Sequence, residues 1–76
     1  MEEKIREIVS DFADDELPLD NEFDLLENGL INSLGIFSIL ASIENEFGIE
    51  IDGEDISNQN FCSIAAMIRM VEKYLK

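Results

Sequence analysis

The chain has 76 residues, which is the size of one small domain. Its 18 acidic and 5 basic residues give a net charge of −13, which argues against nucleic acids and anionic membranes as partners, because binding to phosphates requires lysine and arginine. Hydrophobic residues make up 46% of the chain, enough for a globular core and too many for a disordered acidic tail.

The acidic surplus favours partner proteins with basic surfaces, because opposite charges steer the encounter. The alternative is that the charge only maintains solubility. The N-terminus lacks the basic region of a signal peptide, and no run of about 18 apolar residues is present to span a membrane. We therefore expect a cytoplasmic protein.

Cysteine and histidine usage limits catalytic and metal chemistry. The chain contains no histidine and a single cysteine, Cys62, so neither an internal disulfide nor a Cys/His metal cluster can form. No histidine is available to act as a base for Cys62. We interpret Cys62 as a small, partly buried apolar residue.

Residues 2–14 are predicted to form the first helix, since Ile5, Ile8, Val9 and Phe12 fall on one helical face.

The long connection that follows, residues 15–32, combines turn-forming residues with many apolar ones. A connection of this length in a small domain is usually functional. We expect it to pack across the bundle, with a short turn of helix near Asp24–Glu27, and to fix where Ser33 points. The apolar residues expected to pack are Leu17, Leu19, Phe23, Leu25, Leu26, Leu30 and Ile31.

Residues 33–47 are predicted to form the second helix. Asn32 and Ser33 are both suitable N-cap residues, and Gly48 stands where a left-handed C-cap is expected. Ser33 lies at the helix start, where unpaired N–H groups and the helix dipole stabilise an anion. The apolar face of this helix is given by Ile36, Leu40, Ile43 and Phe47.

The segment 48–60 contains an Asp52-Gly53 turn signal and a short predicted helical turn over Glu54–Asn58. A calcium-binding loop starting at Asp52 fails, because Ile56 falls at a position that requires an oxygen ligand. We interpret the acidic residues as solvated surface.

The last helix is predicted over residues 61–75, with Ser63 as a candidate N-cap. Its apolar face is formed by Ile64, Met67, Ile68, Val71 and Leu75. Three main helices and one short helix predict a single all-α bundle domain over residues 1–76.

The segment Gly29-Leu30-Ile31-Asn32-Ser33-Leu34-Gly35, followed by an apolar helix that ends at Phe47-Gly48, resembles the carrier-protein family of acyl, D-alanyl and peptidyl carriers. The resemblance extends over nearly the whole chain and implies a four-helix bundle. It also implies that Ser33 carries a covalent 4′-phosphopantetheine arm, derived from coenzyme A, with Asn32 and Leu34 beside it. Asn32 stands where the family usually has an aspartate that assists the transferase.

The resemblance implies a non-catalytic, stand-alone carrier that holds an acyl or aminoacyl group as a thioester, in fatty acid or specialised metabolite biosynthesis. The spacing around Ser33 is closer to D-alanyl carriers than to fatty-acid carriers. The implied partners are a phosphopantetheinyl transferase, a loading ligase and downstream acyl-transfer enzymes, and we expect a monomer. The implied partner-recognition residues are Leu34, Phe37, Ser38, Ala41 and Glu44.

Two questions stay open on the sequence alone. Phe37 fits either the core or a half-exposed partner surface. Ser33 fits either an attachment site or a simple helix cap in an acidic interaction module, whose face bearing Leu34, Phe37 and Ala41 would be buried in a dimer or a fixed partner. A regulatory metal-binding bundle is a weaker alternative, and an enzyme is weaker still.

Overall fold

The computed structural model describes residues 1–75. Within them the chain forms four α-helices and one 3₁₀ turn. The helices are α1 (Glu2–Ser10), α2 (Ser33–Phe47), α3 (Asn58–Phe61) and α4 (Ile64–Leu75), with the 3₁₀ turn over Gly53–Asp55. Helix α1 packs against α2 and α4, and α3 packs against α4. The predicted all-α bundle of three main helices and one short helix is confirmed. Lys76, the last residue of the predicted domain, lies outside the described residues.

A single hydrophobic core joins the helices to the long connection. Burial of each large side chain contributes about 1.5–3 kcal/mol, so this core is the main source of stability. Isoleucine is the most frequent residue in this core. The fully buried large side chains are Ile5, Val9, Leu25, Ile39, Ile43, Phe61, Ile64, Met67 and Val71.

The first helix is shorter than predicted. It ends at Ser10, and the backbone N–H of Asp14 donates to the carbonyl oxygen of Leu30 at 2.9 Å instead of continuing the helix. Phe12 is therefore 39% exposed rather than part of the core face. The predicted extension of this helix to residue 14 was wrong, because the N–H of Asp14 bonds to a carbonyl oxygen that is distant in the chain and not to one within a helix.

An arginine fixes the first half of the long connection. The Arg6 guanidinium donates to Asn21 Oδ1 at 2.6 and 3.1 Å, and to the carbonyl oxygens of Pro18 and Leu19 at 2.8 and 3.0 Å. The Asn21 carbonyl oxygen in turn accepts the N–H of Ala65 at 2.9 Å. Asn21 thus links α1, the connection and the start of α4.

The second half of the connection is held against the end of α3. The N–H of Leu25 donates to the carbonyl oxygen of Cys62 at 2.6 Å, and the N–H of Asn28 donates to the carbonyl oxygen of Asp24 at 3.2 Å in a single helical turn. Gly29 follows with a φ of 75°, a conformation that glycine adopts without strain. Leu19 is the exception to the expected packing, because it is 96% exposed.

The third helix lies later in the chain than predicted. The turn over Glu54–Asn58 is replaced by the 3₁₀ turn and by α3, and Phe61 closes α3 instead of opening the last helix. Helix α4 begins at Ile64, where Ser63 Oγ accepts the N–H of Ala66 at 3.1 Å, so the predicted N-cap is confirmed. No helix within residues 1–75 has the length and apolar character needed to cross a bilayer.

Candidate functional site

The start of α2 is capped by Asn32. This residue has an extended backbone, and its Oδ1 accepts the N–H of Gly35 at 2.7 Å, while its carbonyl oxygen accepts the N–H of Ile36 at 3.2 Å. Ser33 is the first helical residue and does not provide the cap. The predicted capping role therefore belongs to Asn32 and not to Ser33.

The Ser33 side chain is exposed at the positive end of α2. In helical geometry the N–H groups of Ser33 and Leu34 have no partner within the helix, and the first turn of α2 contains no acidic residue. A phosphate joined to the Ser33 hydroxyl would meet backbone donors and no repelling carboxylate on this turn. These residues fit a phosphate-linked group.

The chain around this serine carries no charge. From Asn28 to Ile43 every residue is uncharged, although charged residues make up 30% of the whole sequence. The next acidic residue is Glu44, so none of the residues that give the net charge of −13 lies at the start of α2. The prediction from motifs did not detect this uncharged segment, although the positions of the charged residues along the sequence reveal it.

An apolar ridge, consisting of Leu34, Phe37 and Ala41, runs along the exposed side of α2. These residues are spaced three and four apart and so share one helical face. Leu34 is 80% exposed and Phe37 is 60% exposed, which excludes the core interpretation of Phe37. Ser38 is exposed next to the ridge. The ridge is therefore available for contact, as expected of a recognition surface.

Glu44 has an intramolecular role that the sequence did not reveal. It is half-buried, and its Oε2 accepts the backbone N–H of Ile51 at 2.8 Å. This bond holds the segment after Gly48 against the end of α2. The predicted contact of Glu44 with partners stays a prediction.

A small cleft of about 180 Å³ adjoins Ser33. Its volume is smaller than that of a typical ligand pocket, which is about 300–1,000 Å³, so the cleft can hold only a short part of an attached chain. One side of the cleft belongs to α2 and the other to the segment that leads into α3. Its lining residues are Ser33, Ile36, Phe37, Ile56, Ser57 and Asn58.

Two further observations concern other chemistries. Within residues 1–75 no group of three His, Cys, Asp or Glu side chains is placed to hold a metal ion. Cys62 is partly buried, and its Sγ lies 3.6 Å from the carbonyl oxygen of Gln59.

The family model described as the phosphopantetheine attachment site matches residues 3–71, which includes the whole of α2. No curated protein matches the chain.

Proposed function

Because the chain belongs to the phosphopantetheine-attachment family of carrier proteins, in which 4′-phosphopantetheine is bound covalently, we propose that Ser33 is the attachment residue of a stand-alone carrier. The observation that carries this proposal is the exposed Ser33 hydroxyl at the start of α2, where Asn32 provides the cap instead. The Ser33 side chain is therefore not needed to cap α2.

The residues around Ser33 suit a phosphate diester. The positive end of α2 and the N–H groups of Ser33 and Leu34 stabilise its negative charge. Asn32 preserves the cap without adding the negative charge that an aspartate would bring. When bound, the group supplies a thiol that holds cargo as a thioester. Domains of this family are generally non-catalytic, and we propose the same for this chain.

Carriers of this family work with phosphopantetheinyl transferases and partner enzymes in general. We assign the cargo to an acyl or aminoacyl group, loaded by a ligase and passed to acyl-transfer enzymes, in fatty acid or specialised metabolite biosynthesis. The spacing between Gly29, Ser33 and Gly35 supports a D-alanyl-type carrier. The partner-recognition residues of the proposal are the apolar ridge together with Ser38 and Glu44.

Intact-mass measurement tests the attachment. The protein is incubated with coenzyme A and a broad-specificity phosphopantetheinyl transferase. We expect the mass of one phosphopantetheine to be added to the natural sequence and none to Ser33→Ala. Asn32→Asp serves as a matched variant, because it restores the residue usual in the family.

The outcomes separate the two candidate functions. Absence of any added mass from both the natural sequence and Asn32→Asp would overturn the carrier proposal. The exposed apolar ridge also suits a second candidate, an interaction module that pairs with a second copy of the chain. That candidate predicts a dimer by size-exclusion chromatography with light scattering, whereas the carrier proposal predicts a monomer.

A further inference from the structure

We propose that Tyr74, near the end of α4, is a positioning residue for the cleft beside Ser33 and that it acts through Asp55. Residues 56–58 form the wall of this cleft opposite α2, and Asp55 precedes them directly. The link to Ser33 rests on the proposed attachment there, whereas the hold on the wall is a property of the unmodified protein.

The Asp55 carboxylate is held by two neighbouring side chains of α4. Lys73 Nζ donates to Asp55 Oδ1 at 2.8 Å, and the Tyr74 hydroxyl donates to Asp55 Oδ2. The Tyr74 oxygen also accepts the backbone N–H of Asp52 at 2.9 Å. One hydroxyl thus uses both its donor and its acceptor to join two points of the 3₁₀ turn to α4.

The backbone of Asp55 is bonded to the cleft wall and to α3. Its carbonyl oxygen accepts the N–H of Ser57 at 3.1 Å and a hydrogen bond from Asn60 Nδ2 at 2.8 Å. The N–H of Asn60 in turn donates to the carbonyl oxygen of Ser57 at 3.1 Å. The wall therefore lies between two residues that are bonded to each other, and the first of them is held by α4.

The wall has little support from local structure of its own. Ile56 has a φ of −84° and a ψ of 87°, which is not helical, and the Ser57 side chain makes no capping bond to α3. Helix α3 has only four residues, whereas isolated helices shorter than about 12–15 residues are marginal. It packs against α4. The position of the wall beside Ser33 therefore depends on its attachment to α4.

The hydroxyl of Tyr74 can be removed without removing the ring. Its hydrogen bond to Asp55 raises the pKa of Tyr74 above the usual value of about 10, so the hydroxyl remains a donor at neutral pH. The ring packs against the hydrophobic core. Tyr74→Phe therefore removes the hydrogen bonds and keeps this packing.

Amide hydrogen exchange of the unmodified protein tests the hold on the wall. In Tyr74→Phe the N–H groups of Ser57 and Asn60 are expected to exchange about fivefold faster, because a hydrogen bond that resists local opening is lost. The N–H of Ala65 is expected to keep its rate. Arg6→Lys is the matched control, because it frees the acceptor of Ala65 and is expected to leave the wall unchanged. Unchanged rates at Ser57 and Asn60 in Tyr74→Phe would overturn the proposal.

A double variant tests whether Tyr74 acts through Asp55. Asp55→Ala removes the carboxylate and keeps the carbonyl oxygen to which the wall is bonded. We expect it to speed exchange at Ser57 at least as much as Tyr74→Phe does. The double variant is expected to exceed Asp55→Ala by less than about twofold, because the two substitutions break the same contact. Fully multiplicative effects on the rate would overturn the route through Asp55.

Exchange in the modified protein tests the link to Ser33. Because Ser33 lines the cleft, the first atoms of a group attached to it would contact the wall. Addition of phosphopantetheine, with coenzyme A and a broad-specificity transferase, is expected to slow exchange at Ser57 at least about twofold, since a contact made only in the closed state favours that state. Ser33→Ala, treated in the same way, is the control and is expected to keep its rate.

The failures of the two proposals are distinguishable. An unchanged Ser57 rate in the modified natural protein would overturn the link between the wall and Ser33 and leave the attachment intact. Failure of the natural sequence to accept the group would instead overturn the assignment of Ser33, and the exchange rates of the unmodified variants would still decide the role of Tyr74.

Discussion

Asn32 Oδ1 accepts the backbone N–H of Gly35 at 2.7 Å, and this bond separates the capping of α2 from the chemistry of its first residue. The two adjacent polar residues thus have different tasks. Asn32 stabilises the helix, and Ser33 presents an exposed hydroxyl at the helix start. Substitutions at the two positions should have different effects.

Asn32→Ala removes the side-chain acceptor and is expected to lower the free energy of unfolding by about 0.5–2 kcal/mol. Asn32→Asp keeps the acceptor and adds a negative charge at the positive end of α2, so it is expected to raise the free energy of unfolding by about 0.3–1 kcal/mol at low salt. Urea titration measures both changes. An unchanged midpoint for Asn32→Ala would contradict the assigned cap.

Gly35→Ala is expected to raise the free energy of unfolding by up to about 1 kcal/mol, because glycine is a poor residue within a helix. A Cβ at this position would lie 3.5 Å from Asn32 Oδ1, an ordinary contact, so the protein itself does not exclude the methyl group. Loss of stability, measured by thermal unfolding, would contradict this account.

Arg6→Lys is expected to lower the free energy of unfolding by about 2 kcal/mol, because lysine cannot reproduce the guanidinium fork that bonds Asn21, Pro18 and Leu19. The amide of Ala65 should also exchange its hydrogen faster, since its acceptor is the Asn21 carbonyl oxygen. Lys4→Ala, on an exposed position of the same helix, is the control. Equal stability of Arg6→Lys and Lys4→Ala would contradict the role of Arg6.

Asp55 is expected to make the free energy of unfolding depend on pH under acidic conditions. The hydrogen bond from Lys73, at 2.8 Å, and then the one from the Tyr74 hydroxyl hold the pKa of Asp55 below its usual value. A lowered folded-state pKa gives stability that is complete above the usual aspartate pKa of about 3.9 and is lost as the pH falls below it.

Asp55→Asn is therefore expected to lower the melting temperature near pH 7 and to have a smaller effect at a pH well below the usual aspartate pKa of about 3.9, where the Asp55 carboxylate is progressively protonated. The lower acidic repulsion at low pH affects both proteins and cancels in the comparison. A difference in melting temperature that is equally large at both pH values would contradict the assignment.

The bounds of α2 could be predicted because local signals determine both of its ends. Asn32 caps the start, and Gly48 ends the helix with a φ of 64° while its N–H donates to the carbonyl oxygen of Glu44. The predicted range, residues 33–47, is confirmed. The location of the candidate attachment residue at a helix start followed from the same signals.

Other features depend on partners far along the chain, which periodicity does not detect. Beyond the end of α1 the N–H of Asp14 bonds to the carbonyl oxygen of Leu30, and Phe61 of α3 is fully buried in the core. Helical periodicity placed Glu44 on the outer face but could not show its bond to Ile51. The long connection packs as expected except at Leu19, whose exposure no sequence signal indicates.

The most direct test of the central claim is localisation of the added group on the modified natural protein. Cleavage after glutamate releases the fragment 28–44, which contains three serines, Ser33, Ser38 and Ser42. Fragmentation of this peptide by tandem mass spectrometry is expected to place one phosphopantetheine on Ser33. The group on Ser38 or Ser42, or an unmodified fragment after treatment with transferase and coenzyme A, would contradict the account.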